Sequence, residues 1–153
     1  CSNIDKLISK YNLSDYILLF PFCSEHLQQK KWPYYDQLIK LIKQNHPNLK
    51  IVIAPGPDEI EKAKKLDAVS ILKEDKAISI SELAGLIKRS KFVVANDTGP
   101  AHMAAHLNVK GLSLFGSHTT AYKVSIEREN FKAIQVSDLK NLSAEKVFER
   151  LVL

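Results

Sequence analysis

At 153 residues and 45% hydrophobic content, the chain fits one domain, long enough to bury a proper core and too apolar to be disordered or fibrous. Its longest apolar runs, at residues 16–22 and 49–55, are far too short to span a bilayer, and no order of charged, apolar and small residues marks a signal peptide. The formal charge of +5, from 22 basic and 17 acidic residues, allows an anionic ligand. It does not indicate nucleic acid: Lys40, Lys43, Lys62, Lys64, Lys65 and Lys88 are scattered over helical segments with no aromatics interleaved.

In chain order, residues 3–11 read as a short helix, 17–22 as a strand, and 33–45 as a helix that buries Leu38, Ile39, Leu41 and Ile42. Residues 49–54 form an apolar strand, 57–66 a charged helix opened by Pro57-Asp58-Glu59, and 69–72 a short strand. Ser79 or Ser81 caps a helix that includes Leu83, Leu86 and Ile87. A strand at 92–95, a helix at 100–107, a strand at 111–115, a strand around 133–136 and a closing helix from Ser143 complete the series. This alternation implies an α/β fold: a Rossmann-like, doubly wound parallel sheet with helices on both faces. A flavodoxin-like or response-regulator-like domain shares the period but usually places an acidic cluster after its first strand, where this chain has Phe22-Cys23-Ser24. Cys1 and Cys23 offer no metal-ligand spacing and no disulfide framework, so a reducing cytoplasm is the expected compartment. The start at Cys1 rather than Met reads as a piece of a longer protein.

Residues 91–117, KFVVANDTGPAHMAAHLNVKGLSLFGS, read as strand, phosphate-binding turn, helix and strand. The apolar run of Phe92, Val93 and Val94 stops at Asn96-Asp97-Thr98-Gly99-Pro100. There Thr98 can cap a helix, Gly99 lets a ligand approach the backbone, and Pro100 has no N–H to leave unpaired in the first turn. The remaining N–H groups and the positive end of the helix dipole suit a phosphate or diphosphate. In a parallel sheet, ligands bind beyond the carboxyl ends of the strands where strand order reverses. Those ends are residues 21–24, 54–58, 73–78, 96–99 and 116–120, and they hold nearly every unusual residue of the chain. His102 and His106 stand at i, i+4, but Met103 occupies the place where a metalloprotease needs its glutamate and no third ligand is evident. No metal or other cofactor is expected.

The block ANDTGPAHMAAHL, followed by LFGS, resembles the nucleotide-sugar half of the ADP-heptose:lipopolysaccharide heptosyltransferase family. That family's signature is an Asp-Thr-Gly turn, a His on the ensuing helix, and a later Phe-Gly or Tyr-Gly turn. Lys30-Lys31-Trp32-Pro33 looks like its Lys-x-Trp-Pro element, and Ala54-Pro55-Gly56-Pro57-Asp58-Glu59 falls where it has a Gly-rich, acidic turn. The resemblance covers residues 16–116.

The resemblance implies the C-terminal, donor-binding half of a GT-B glycosyltransferase, occupying this whole chain. Lys30 then contacts the diphosphate, with Ser24 offering a hydroxyl and Trp32 acting as a packing anchor rather than a base-stacking platform. Asp97 approaches the donor sugar, Thr98 and Gly99 contact the phosphates, and His102 donates to a phosphate. Asp58 or Glu59 accepts from the ribose, Ile78 meets the adenine, and Gly116 permits close approach near the sugar. Ser117-His118-Thr119-Thr120 departs from the family's Pro-Thr-x-Pro type of sequence.

The reaction implied is inverting, metal-independent transfer of heptose from an ADP-sugar to a lipopolysaccharide-core glycolipid. It would take place in the cytoplasm, in peripheral association with the inner membrane surface. The acceptor site and catalytic base belong to an N-terminal domain, so the chain carries no catalytic residue and by itself binds nucleotide without turnover. Two other readings stand beside this one. They are another sugar-nucleotide enzyme of the same fold, a different glycosyltransferase or an epimerase, and a non-catalytic nucleotide-binding domain.

Overall fold

The computed structural model describes residues 3–22, 31–96, 98–116, 127–151 and 153. Six strands form one sheet: β1 (Tyr16–Phe20), β2 (Lys50–Ile53), β3 (Val69–Ser70), β4 (Phe92–Asn96), β5 (Gly111–Phe115) and β6 (Phe131–Gln135). Their order is β3-β2-β1-β4-β5-β6, and every pairing is parallel. Leu18 lies between Val52 and Val93 in register. The helices are α1 (Asn3–Lys10), α2 (Tyr35–Asn45), α3 (Ile60–Ala63), α4 (Ile80–Arg89), α5 (Gly99–His106) and α6 (Ala144–Glu149), with a 3₁₀ turn at Leu139–Asn141.

Strands buried on both faces read as continuous apolar runs, and β1 and β4 are buried along their whole length. Successive side chains still alternate between two cores. Tyr16, Leu18, Phe20, Val93 and Ala95 face Ile4 and Leu7 of α1, Leu86 and Ile87 of α4, and Ala101, Ala104 and Ala105 of α5. Ile17, Leu19, Phe92 and Val94 face Tyr35, Leu38, Ile39 and Ile42 of α2, Ala63 of α3, and Ala144 and Val147 of α6. The expected doubly wound, three-layer sandwich is the observed one. Among the described residues no helix is long and apolar enough to cross a membrane.

Local chemistry sets the ends of the elements. Of the two serines proposed to open α4, Ser79 does so: its Oγ accepts from Glu82 N–H at 3.2 Å while Glu82 Oε1 accepts from Ser79 N–H at 2.9 Å. Asn12 and Asn108, both in the left-handed region with φ of 54° and 57°, close α1 and α5. In each case the following N–H reaches back five residues, Leu13 to Ile8 O and Val109 to Ala104 O. At Gly111 an added Cβ would stand 2.6 Å from Phe131 Cε2 and 2.8 Å from Val93 O, so only glycine fits beneath that ring.

Three of the elements that fall short of their expected bounds show why. The strand expected at 69–72 ends at Ser70, because Tyr11 Oη donates to Leu72 O at 3.0 Å and accepts from Leu72 N–H at 3.1 Å, removing both groups from the ladder. The helix expected at 57–66 is the single turn α3. Glu59 Oε1 turns back to accept from Gly56 N–H at 2.9 Å, closing a turn ahead of it, and i to i−3 bonds from Lys65 and Leu66 tighten its end. The helix expected from Pro33 begins at Tyr35, with no side chain capping its start.

Candidate functional site

Strand order reverses between β1 and β4: the chain winds from β1 outward to β2 and β3, then returns and winds outward again through β5 and β6. The carboxyl ends of β1 and β4 therefore flank the crevice where such sheets bind ligands. Pro21 and Phe22 follow β1, Trp32 to Tyr35 lead into α2, and Asn96, Thr98 and Gly99 follow β4.

Asn96 is the last residue of β4 and is fully buried. Its Oδ1 accepts from Trp32 N–H at 3.3 Å and from the Tyr35 hydroxyl at 3.2 Å. A backbone N–H can only donate, so the Trp32 contact fixes which amide atom faces it. Asn96 Nδ2 is left with no hydrogen-bond partner. The Asn96 carbonyl accepts from Thr98 Oγ1 at 3.3 Å and from Ser113 Oγ at 3.5 Å. One residue thus ties the start of α2, the turn before α5 and strand β5 together. Asn96 is not among the contacts expected from the sequence. The signal available was an amide closing the run FVVA, where a sheet covered on both faces otherwise takes apolar residues.

Trp32 is a packing anchor, as expected. It is fully buried, its indole N–H donates to Leu142 O at 2.7 Å, and its ring meets Tyr35 edge-on at 5.0 Å. Lys31 extends over Phe22, with Nζ 5.8 Å from the ring centre. A cleft of about 490 Å³ opens beside them, lined by Phe22, Lys31, Trp32, Tyr35, Lys62 and Lys65.

The turn after β4 differs from expectation in one respect. Thr98 occupies the N-cap position of α5, but its hydroxyl makes no cap bond because it is turned to the Asn96 carbonyl. Pro100 supplies no N–H, and those of Ala101 and His102 fold back to Thr98 O at 3.1 and 3.3 Å. Among the described residues, the N–H groups of Thr98 and Gly99 remain as the uncommitted backbone donors at this end of the helix. Gly99 is exposed, and a Cβ built on it would meet nothing within 4 Å. Open space therefore lies over a helix start with spare donors, the arrangement that receives an anion.

The other proposed contacts among the described residues are Asp58, Glu59, Ile78, Gly116 and His102. Asp58 is exposed, whereas Glu59, half-buried, has one carboxylate oxygen committed to Gly56 N–H. Ile78 is half-buried against the core immediately before the Ser79–Glu82 cap. That cap is held down by Lys73, whose Nζ lies 3.2 Å from Glu82 Oε2 without hydrogen-bond alignment. The Ser79 N–H and hydroxyl, with help from Lys73, keep the Glu82 carboxyl below its ordinary value of 4.5, against the opposing effect of burial. Gly116 is buried at the end of β5, and its carbonyl accepts from Gln135 Nε2 at 3.5 Å. His102 is exposed on α5 and lines a cleft of about 410 Å³ with Ala84, Met103, His106 and Arg128. Ser24, Lys30 and Asp97 lie outside the described residues. Among the described residues no three His, Cys, Asp or Glu side chains gather as a metal-binding group.

Residues 4–151 match glycosyltransferase family 9 (heptosyltransferase). The chain belongs to that family. This family-9 chain is 29% identical over 114 residues to lipopolysaccharide heptosyltransferase 1 of Campylobacter coli, an alignment that covers 69% of the chain and 33% of that relative. Its fold is similar to E. coli heptosyltransferase WaaC solved with ADP, at a TM-score of 0.75 and 24% identity over 88% of this chain and 42% of that one. It is also similar to E. coli ADP-heptose lps heptosyltransferase II, at 0.76 and 19% identity over 97% of this chain and 50% of that one. A UDP-GlcNAc 2-epimerase from Methanocaldococcus jannaschii, solved with UDP-GlcNAc and UDP, shares the fold at 0.68 and 15% identity, over 97% of this chain and 40% of that one. The family-9 chain thus spans half or less of the length of each of these proteins.

Proposed function

We propose that this chain is the C-terminal, donor-binding half of an inverting GT-B glycosyltransferase that moves heptose from ADP-heptose to a lipopolysaccharide-core acceptor. The observation that carries this reading is the open, donor-bearing start of α5 at the switch point, built from Asn96, Thr98, Gly99 and Pro100 in the turn that resembles the family's Asp-Thr-Gly signature. A heptosyltransferase of this fold has been solved with ADP, which fits an adenine nucleotide as the donor's leaving half.

In the proposed mechanism the acceptor hydroxyl oxygen attacks the anomeric carbon, the bond from that carbon to the phosphate oxygen breaks, and ADP departs with the electron pair. The hydroxyl proton passes to a base on the N-terminal domain, which also carries the acceptor site. This chain's part is electrostatic. The Thr98 and Gly99 N–H groups and the α5 dipole meet the developing diphosphate charge, with Lys30, Ser24 and His102 adding donors. Asp97 holds sugar hydroxyls, Asp58 or Glu59 the ribose, Ile78 the adenine, and Gly116 leaves room by the sugar. The reaction proceeds without a metal ion, at the cytoplasmic face of the inner membrane, and the isolated chain binds nucleotide without transferring sugar.

The shared fold of the UDP-GlcNAc 2-epimerase sustains a second reading, a sugar-nucleotide enzyme of another kind. Full-length protein incubated with ADP-heptose or UDP-GlcNAc, with and without heptose-free lipopolysaccharide core, separates them. The proposal expects acceptor-dependent release of ADP. Acceptor-independent conversion of UDP-GlcNAc would establish the epimerase reading instead.

A further inference from the structure

We infer that Asn96 is a positioning residue for the diphosphate turn, holding the start of α5 in register with the start of α2 across the switch point. The inference rests on the donor-site reading above and names the device that shapes that site.

Four contacts converge on this one residue. Two bind its side chain to Trp32 N–H and the Tyr35 hydroxyl, and two bind its carbonyl to the hydroxyls of Thr98 and Ser113. The side-chain pair comes from segments 64 and 61 residues away, so nothing local duplicates it. Trp32 and Tyr35 are themselves buried and edge-on to each other, with the Trp32 indole bonded to Leu142 O. The Asn96 amide therefore has a rigid reference on one side and the Thr98-Gly99 backbone on the other. Because Thr98 Oγ1 is spent on the Asn96 carbonyl, the turn lacks a side-chain cap and depends on Asn96 for its shape. The unpartnered Nδ2 fits this role. A buried donor left unsatisfied disfavours folding, and such groups concentrate where function retains them.

The test uses full-length protein with Asn96→Ala, Tyr35→Phe and the double substitution, each titrated with ADP and with adenosine. Tyr35→Phe removes one hydroxyl and leaves the Trp32 bond, so it reports even where Asn96→Ala lowers the yield of folded protein. The expected result is ADP affinity about tenfold weaker for Asn96→Ala and about threefold weaker for Tyr35→Phe. Adenosine affinity stays within about twofold, and the double variant is no weaker than Asn96→Ala alone because the two residues act as one unit. Equal losses for both ligands, or thermal destabilisation with ADP affinity intact, would overturn the inference and leave Asn96 a purely structural residue. Failure of the unsubstituted protein to bind ADP would instead sink the donor-site reading, and this inference with it.

Discussion

The indole N–H of Trp32 donates to the carbonyl of Leu142 at 2.7 Å, joining the segment that follows β1 to the turn that precedes α6, 110 residues later. Both partners are buried, so the bond closes the chain's last helix onto its first crossover in the absence of water. Replacing Trp32 with Phe leaves the Leu142 carbonyl unpaired and a void beside Tyr35. The expected loss is about 2–4 kcal/mol of unfolding free energy. Urea unfolding followed by circular dichroism measures it, since Trp32 is the only tryptophan and its fluorescence vanishes with the substitution.

Gly111 and Gly99 make a contrasting pair. A methyl at Gly111 collides with the Phe131 ring and with the Val93 carbonyl, whereas one at Gly99 meets open space. Gly111→Ala is expected to cost about 1–3 kcal/mol, because the backbone oxygen cannot move aside without disturbing the β4–β5 ladder. Gly99→Ala is expected to leave stability within about 0.5 kcal/mol while weakening ADP binding severalfold, since the methyl enters the space proposed for the ligand. Calorimetric melting of both variants, followed by ADP titration, reads the two effects separately.

The two glycines also show what the sequence could and could not disclose. Strands covered on both faces must be nearly all apolar, so 92–95 and 111–115 stood out without knowledge of their neighbours. Element ends were harder where a distant side chain decides them. Tyr11 reaches 61 residues along the chain to bond Leu72 and so ends β3 at Ser70, and no local pattern announces that bond. Glu59 shortened α3 by returning to Gly56, and Thr98 left its cap role for the Asn96 carbonyl, each a local choice among several geometries open to the same residue types. The turns that compose the site were legible because helix starts, glycines and sudden polarity mark strand ends. The role of Asn96 was not, because its partners Trp32 and Tyr35 come from another part of the sequence.

Glu82 gives a pH signature of the fold. Folding lowers its carboxyl below the ordinary value of 4.5, so the ionised group stabilises the native state at any pH above that value, and the contribution disappears as pH falls through the lower folded-state value. Glu82→Gln keeps the shape of the cap but loses the charge facing Ser79 N–H and Lys73. The variant is expected to be about 1 kcal/mol less stable at neutral pH, with the gap closing below pH 4.5. Urea midpoints measured from pH 7 to pH 3 test this, and a gap that widens on acidification would show the sign to be wrong.

The most direct test of the donor-site reading is a calorimetric titration of the full-length protein with ADP, UDP and GDP, repeated on Lys30→Ala and Asp97→Ala. The expected result is preference for ADP, weakened at least severalfold in Lys30→Ala and retained in Asp97→Ala, whose carboxylate is assigned to the sugar rather than the phosphates. Equal affinity for the three nucleotides, or no binding of ADP at millimolar concentration, would contradict it.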